Sequence, residues 1–257
     1  MDAPFRSPTS PFAVAGDAAR AERLAFLRRV YLLLTGSVVS AALGAAVALN
    51  AGAGVSQTFV PVGRGQSVAV PPLVAFFANH WFVGPMLFLG AFFFASAVRE
   101  KPGLNVAALM GATGLSGVYI GPALFWAQLS ASQGHTLSAS PIRDAFLLAV
   151  AGFVGLSAYA LGSRRDFSFL GGFLSMGLWV LIGASLLSMF VGGQAFSLAI
   201  ASAGVLLFGG YVLYDTARLA RDPSQRDAVG AAIGLYLNLM NLFLFLLRIL
   251  GSGRRDD

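Results

Sequence analysis

The chain has 257 residues, of which 57% are hydrophobic and only 11% charged. A soluble domain of this length cannot cover so much apolar surface, so the composition excludes a soluble globular protein and indicates one that uses the lipid bilayer as solvent. The net charge is +6, and the arginines that produce it lie at the ends of apolar runs. They do not form a continuous basic groove or stripe, so we expect no nucleic-acid partner.

Residues 1–28 form a tail that we place in the cytosol. The tail contains three prolines and several charged residues, and the stretch from Ala18 to Arg29 at its end is mildly amphipathic. A cleaved signal peptide would have its apolar core near the start, whereas here about 22 apolar residues follow Arg29, which is enough to span a membrane. We therefore expect an uncleaved anchor helix at the start of a transmembrane domain over 29–251, with residues 252–257 as a carboxyl-terminal tail.

Seven apolar runs of roughly 18 to 25 residues follow one another, each long enough to cross a hydrocarbon core about 30 Å thick. They lie near residues 30–50, 73–98, 104–126, 143–162, 169–190, 195–214 and 228–250. Only Gly192 and Gly193 separate the fifth and sixth, which must therefore form a tight antiparallel hairpin. The pattern predicts an all-α membrane protein, a bundle of seven transmembrane helices.

The orientation follows from the basic residues, which collect on the cytosolic side. With the amino terminus in the cytosol, most of them fall in the tail and in the even-numbered connections, as Arg99 and Lys101 do. Arg248, Arg254 and Arg255 fall on the other side and favour instead a re-entrant last segment. We prefer the full span because its apolar length suits one. Lys101 is the single lysine, a skew typical of GC-rich bacteria, so we expect a bacterial inner membrane.

Small residues at four-residue spacing predict where helices cross closely. Gly36, Ser40 and Gly44 share one face of the first predicted helix, and Gly117 and Gly121 share one face of the third. Without large side chains, two backbones can approach each other in lipid. We expect these stripes to pack inside one bundle, with a dimer face as the alternative.

Asp215 is the ionisable residue that we single out, because a charge away from the membrane interface is costly and marks a functional candidate. The helical pattern continues past it for one and a half to two turns, which places it at the cytosolic shoulder of the sixth helix. In the seventh helix, Asn238, Asn241, Phe245 and Arg248 share a face. Such a polar seam must contact protein or water.

Asp215 and Asn238 are expected to meet. The midpoint between them falls in the turn that joins the last two helices, so in an antiparallel pair they stand at nearly equal depth. One interpretation is purely structural: Asp215 pairs with an arginine, and Asn238 bonds across helices. The other is a proton- or cation-sensitive latch, because loss of water favours the protonated carboxyl group, which then releases a cationic partner. Arg99 is a candidate partner.

A third possibility comes from Gly114-Leu115-Ser116-Gly117, which has the form of the nucleophile loop of rhomboid-type intramembrane serine proteases. Such an enzyme needs a histidine base on another helix. His80 and His135 are the only histidines, and we place both outside the transmembrane helices. The chain has no cysteine, no metal-ligand motif and no phosphate or dinucleotide loop, so we expect no enzyme, no cofactor and no bound metal.

The carboxyl-terminal third resembles the Bax inhibitor-1 family, including its bacterial YccA-type members. The resemblance rests on the runs GYVLYDT (210–216) and GLYLNLMNLFLFLLRILG (234–251), with further matches at Ser116 to Pro122 and Arg164 to Leu170. It extends over residues 28–251. It implies a fold with a central seventh helix and a pH-sensitive calcium leak. In that mechanism two aspartates on the last two helices share protons and are latched by a basic residue on the second helix.

Asp215 matches the first of those aspartates, Arg99 is placed like the latch, and Asn238 stands where the family pattern YLD has the second aspartate. One carboxylate fewer predicts a shallower or more acidic pH response and a weaker calcium site. The resemblance thus implies a pH/ion gate of Asp215, Asn238 and Arg99, with calcium or protons as the ions. The alternative implied by the bacterial members is a non-channel regulator that binds a membrane protease or a stress-response partner.

Overall fold

The computed structural model describes residues 11–52, 54, 58–61, 67–134, 136–163, 165–222 and 227–253. These residues are nearly all helical, as the apolar runs predict. In chain order the elements are α1 (Pro11–Asn50), β1 (Phe59–Pro61), β2 (Ser67–Ala69), α2 (Pro72–Asn79), α3 (Val83–Ala97), α4 (Leu104–Tyr119), α5 (Gly121–Ser132), α6 (Pro141–Gly162), α7 (Leu170–Val191), α8 (Gln194–Arg221) and α9 (Ala228–Leu250).

Six helical stretches of the described chain are long and apolar enough to cross a membrane. They are α1 from Arg20 onward, the consecutive helices α4 and α5, and the single helices α6, α7, α8 and α9. The bent pair of α2 and α3 makes a seventh if it is counted as one span. The chain is therefore a multi-span membrane protein with six such stretches, or up to seven.

The second predicted segment is broken, which corrects the single helix expected over 73–98. Helix α2 ends at Asn79, α3 begins at Val83, and the two are bent by 97°. Pro85 explains the break: in a continuous helix its ring would clash with the preceding turn and it would lack the N–H that bonds there. In the first turn of a new helix that N–H is not needed.

Two other predicted segments, the first and the third, extend beyond their predicted bounds. Helix α1 begins at Pro11, well inside the predicted tail, because the stretch before Arg29 is rich in alanine and also contains leucine and arginine, which favour helix. The third segment continues to Ser132, with a joint at Ile120 where Pro122 opens α5. Helix α8 continues past its apolar run to Arg221, as the helical pattern beyond Asp215 predicts. In the connection between α1 and α2, the short strands β1 and β2 pair antiparallel, with Val60 opposite Val68.

Helix α1 crosses α4 closely along the predicted small-residue stripe. A Cβ atom at Gly44 would overlap the Gly114 carbonyl oxygen, and one at Gly117 would overlap that of Ala41. The Ser40 hydroxyl donates a hydrogen bond of 2.7 Å to the Met110 carbonyl oxygen across the same crossing. The stripe therefore packs inside the chain, as expected.

Helix α9 is one continuous helix that contacts α1, α3, α4, α6 and α8. Its first residues lie at the end of the bundle where Arg99 pairs with Asp227, which we call the Asp227 end. Its last residue, Leu250, lies at the opposite end, where its carbonyl oxygen accepts a hydrogen bond from the backbone N–H of Leu137. Arg143 opens α6 there, and we call this the Arg143 end. The re-entrant alternative for the last segment is therefore wrong.

The predicted hairpin between the fifth and sixth segments is confirmed. Only Gly192 and Gly193 lie between α7 and α8, and their φ angles are +67° and +96°. Such left-handed angles cost little only for glycine, which is why two residues suffice to reverse the chain.

Candidate functional site

Asp215 of α8 and Asn238 of α9 are in direct contact. The Asn238 side-chain amide donates a hydrogen bond of 2.6 Å to Oδ2 of Asp215. Asn238 is buried, and Asp215 is partly buried. The antiparallel pairing of the two helices thus brings the two residues to equal depth, as their positions about the turn predict.

The polar seam of α9 faces α8 along much of the helix. The Phe245 ring stacks on Phe208 at a centroid distance of 5.8 Å, and Nε of Arg248 donates a 2.9 Å hydrogen bond to the Ser197 hydroxyl. Asn241 differs, because its amide bonds the Leu237 carbonyl oxygen of its own helix. The polar seam of α9 therefore contacts protein, as a polar face inside a membrane must when it does not contact water.

The structure pairs Arg99 with Asp227, which corrects the expected pairing with Asp215. Nε of Arg99 lies 3.3 Å from Oδ2 of Asp227, and half of the Arg99 side chain is exposed. A guanidinium at the rim of the bundle reaches a solvated carboxylate without losing its water. To reach the more buried Asp215 it would have to be desolvated, which is costly for a charge.

Asp227 was not among the residues predicted for the site. It is the N-cap of α9, and its side chain accepts a 2.8 Å hydrogen bond from the backbone N–H of Gly230. An aspartate directly before a long apolar run is the usual sequence signal of a helix start, so this role was visible in the sequence. Its ion pair with Arg99 was not, because it joins the ends of two helices far apart in the chain.

Arg99, Asp215 and Asp227 line one cavity of about 240 Å³ at the Asp227 end of the bundle. Arg218 also lines it, one helical turn beyond Asp215 on α8, with an exposed side chain. The three residues predicted for the gate are therefore near one another. Asp215 and Asn238 are bonded, and Arg99 lies across the cavity in an ion pair of its own.

Two further polar pairs are buried beside this site. The hydroxyls of Ser157 and Thr216 lie 3.3 Å apart between α6 and α8. The Ser116 hydroxyl lies 2.5 Å from that of Tyr236, between α4 and α9, and it also donates to the Thr113 carbonyl oxygen. These contacts satisfy hydroxyls that would be costly to bury alone. No sequence pattern indicated them.

The surroundings of Ser116 differ from those of a serine nucleophile. Its side chain is fully buried and bonds Tyr236 rather than a histidine. The His80 ring stacks on Phe76, and its Nδ1 bonds the Phe76 carbonyl oxygen. His135 lies outside the described residues. A nucleophile needs a base within hydrogen-bond reach, and His80 is occupied elsewhere.

The connection between α6 and α7 carries a well-bonded carboxylate at the Asp227 end. The Ser168 hydroxyl and backbone N–H both donate to Asp166 and hold the pKa of its carboxyl group below the ordinary value. These bonds stabilise the folded chain at neutral pH, and the contribution is lost as the pH falls through that lowered pKa. Arg164, which the family resemblance includes, lies outside the described residues.

The acidic groups of the site are too few and too spread out for a resident metal. Among the described residues, no three histidine, aspartate or glutamate side chains cluster so as to hold a metal ion. Asp215 has an amide as its direct partner, and Asp227 has a guanidinium. These two carboxylates do not supply the several charged oxygens that tight calcium binding needs.

The sequence matches a family model described as Inhibitor of apoptosis-promoting Bax1 over residues 23–255. An uncharacterized membrane protein of Vibrio cholerae is 32% identical over 234 residues, which cover 90% of this chain and 91% of that protein. Bax inhibitor 1 of Schizosaccharomyces pombe is 30% identical over 254 residues, which cover 97% and 83% of the two chains. The Golgi anti-apoptotic protein of Vaccinia virus is 33% identical over 228 residues, which cover 89% and 85%.

Proposed function

Because this chain belongs to the Bax inhibitor-1 family, we propose that it is a non-enzymatic membrane protein that lets cations, calcium among them, pass slowly and in a pH-dependent way. Its gate is formed by Asp215, Asn238 and Arg99. The observation that carries this proposal is the hydrogen bond of 2.6 Å between Asp215 and Asn238, which joins two spanning helices beside a polar cavity.

The proposed arrangement has seven spans, with α2 and α3 together forming the second and α9 at the centre. The contacts of α9 with α1, α3, α4, α6 and α8 support its central position. We place the protein in a bacterial inner membrane with the amino terminus and the Asp227 end in the cytosol. The arginines of α1 before its apolar stretch and the basic residues at Arg99 and Lys101 support this orientation.

The gate works through the charge on Asp215. In its ionised form the carboxylate accepts a charge-assisted hydrogen bond from Asn238, which ties α8 to α9. A proton on Asp215 removes that charge and weakens the tie, so α8 and α9 separate more easily. The ion pair of Arg99 and Asp227 closes the cytosolic entrance of the cavity next to Asp215. We therefore expect flux to rise as the pH falls.

Calcium flux into proteoliposomes across a pH series tests this function. The wild-type chain should give flux above that of empty vesicles, increasing toward acidic pH. Asp215→Asn removes the titrating group and should give flux that no longer varies with pH. Asp166→Asn is the matched control, because it removes a carboxylate at the same end of the bundle but outside the gate. Flux equal to that of empty vesicles at every pH would remove the channel.

A second candidate is a regulator that acts by contact with a membrane protease or a stress-response partner. Two observations favour it: the gate holds one carboxylate in place of two, and a similar viral protein is named as anti-apoptotic rather than as a channel. Helix α7 offers a surface, because it packs chiefly on α8 and leaves Trp179 and Phe173 exposed. Vesicles without flux, together with co-purification of a membrane protease that Trp179→Ala abolishes, would favour this function.

A further inference from the structure

A long apolar groove lies along the side of the bundle in the half nearer the Arg143 end. Its volume is about 500 Å³, and its walls are formed by α1, by α6, and by Ile120 and Leu124 at the start of α5. Leu239, Met240 and Phe243 of α9 line its inner side. Ala46 and Phe146 at its rim are exposed, so the groove opens at the surface that faces lipid.

The groove has the length of one membrane leaflet. Helix α1 lines it from Val38 to Asn50, a distance of about 18 Å at 1.5 Å per residue. One leaflet of a hydrocarbon core about 30 Å thick measures about 15 Å. Asn50 is the last residue of α1, whereas Val38 lies near the middle of the apolar stretch of that helix, residues 30–50. The groove therefore runs from the interface to the centre of the bilayer, as an acyl chain does.

Alanine makes the groove deep. Ala42 and Ala46 follow Val38 at four-residue steps on the face of α1 that lines it. Larger side chains at these positions would fill the space between α1 and α6. The outward face of the same helix carries Leu43 and Val47, which are more than half exposed and do not line the groove.

Arg143 lines the outer end of the groove and is paired with Asp144, which lies beside the groove without lining it. The Arg143 side chain is 69% exposed, and its Nε donates a 3.0 Å hydrogen bond to Oδ1 of Asp144. The Ser138 hydroxyl also donates to Asp144. The guanidinium carries further N–H donors that suit phosphate, while the adjacent carboxylate suits an ammonium group. The pair is neutral as a whole, which matches a zwitterionic headgroup better than an anionic one.

We propose that this groove is a binding site for one phospholipid with a phosphoethanolamine headgroup. One acyl chain lies between α1 and α6 against α9, the phosphate contacts Arg143, and the ammonium lies toward Asp144. Apolar burial along the groove supplies the binding free energy, and the charged pair selects the headgroup. The site is separate from the gate, so it stands or falls independently of cation flux.

Native mass spectrometry of the full chain, purified from bilayers with equal amounts of phosphatidylethanolamine and phosphatidylglycerol, tests the site. The wild-type chain should retain one phosphatidylethanolamine. Ala46→Phe fills the groove and should lower retention about tenfold or more, whereas Val47→Phe, its neighbour on the outward face, should leave retention unchanged. Arg143→Gln removes a charge-assisted hydrogen bond to phosphate and should also lower retention about tenfold.

Several results would overturn the proposal. They are no retained lipid on the wild-type chain, equal retention by Ala46→Phe and Val47→Phe, and phosphatidylglycerol retained as readily as phosphatidylethanolamine. A wild-type dimer that Ala46→Phe splits would show instead that a second copy of the chain covers the groove. Asp215→Asn serves as a folding and independence control, because it should keep the lipid while it alters flux.

Discussion

At the scale of single residues, the contact between Asp215 and Asn238 defines the proposed gate. The family resemblance implies a substitution at position 238. Asn238 stands where a second aspartate is expected, and its amide donates directly to Asp215. An amide beside a carboxylate removes the like-charge repulsion that lets two close carboxyl groups share one proton. The contact between Asp215 and Asn238 therefore holds one carboxyl group in place of a coupled pair, and we expect the pH response of that contact to be that of one proton.

Asn238→Asp tests this directly. Two carboxyl groups at hydrogen-bond distance cannot both ionise easily, so they should share a proton and titrate as a pair. The pH midpoint of calcium flux should move to higher pH by about one unit or more. Asn241→Asp is the control, because Asn241 bonds its own helix and not Asp215, and it should leave the midpoint in place. If the pH midpoint of flux is unchanged in Asn238→Asp, the contact between α8 and α9 at this position does not control gating.

At the scale of helices, the ends of α3 and α9 are joined by one ion pair that also involves a helix cap. Asp227 accepts the N-cap hydrogen bond from Gly230 and contacts Arg99 through the same carboxylate. Both side chains are at least one third exposed, so the ion pair contributes at most about 1 kcal/mol. Its effect should therefore appear in gating more than in stability.

Asp227→Asn and Asp227→Ala separate the two roles. Asparagine caps a helix as well as aspartate does but cannot pair with Arg99, so Asp227→Asn should raise flux at neutral pH about two- to fivefold with little loss of stability. Asp227→Ala should raise flux similarly and cost about 1 kcal/mol more in unfolding free energy. Proteoliposome flux and unfolding in detergent measure the two effects. Equal flux in wild type and Asp227→Asn would exclude the ion pair from the gate.

The crossing of α1 and α4 depends on the absence of a side chain at particular glycines. A Cβ at Gly117 would overlap backbone atoms of Ala41, whereas one at Gly111 on the same helix would meet nothing within 4 Å. Gly117→Ala should therefore destabilise the fold by about 1 to 3 kcal/mol. Gly111→Ala should be neutral or slightly stabilising, because alanine favours helix. Unfolding in SDS followed by circular dichroism compares them, and equal stability would contradict the close crossing.

At the scale of the whole molecule, the two ends of the bundle carry different chemistry. The Asp227 end holds the cavity with Arg99, Asp215 and Asp227, and the Arg143 end holds the outer part of the apolar groove. Helix α9 lines both and runs between them without interruption. The cavity and the groove are lined by different residues of α9, Gly230 to Gly234 at the cavity and Tyr236 to Phe243 at the groove.

The orientation of this bundle can be measured with single cysteines, since the natural chain has none. If the Asp227 end faces the cytosol, a membrane-impermeant maleimide should label Ser252→Cys in intact spheroplasts and label Ser168→Cys only after lysis. The positive-inside rule predicts this result. Labelling of Ser168→Cys in intact spheroplasts would reverse the orientation and move the pH sensor to the other side of the membrane.

The amino-acid sequence by itself determined that the chain is helical and lies in a membrane, since hydropathy and segment length depend only on local composition. It also determined the hairpin at Gly192-Gly193, the small-residue faces that include Gly44 and Gly117, and the equal depth of Asp215 and Asn238, because helix periodicity and a short turn fix these positions. Pro85 is also present in the sequence. The apolar run over 73–98 is long enough for one span, however, so its length did not predict the bend before Pro85.

Tertiary structure alone decided which partner each polar group takes. Arg99 pairs with Asp227 rather than Asp215, and Ser116 bonds Tyr236 rather than a histidine. The groove beside Arg143 is also a tertiary feature, because it is the space left between two helices whose sequences are far apart. The physical reason is common to all three: the partner of a side chain depends on burial and on contacts between distant segments, and neither is encoded in local periodicity.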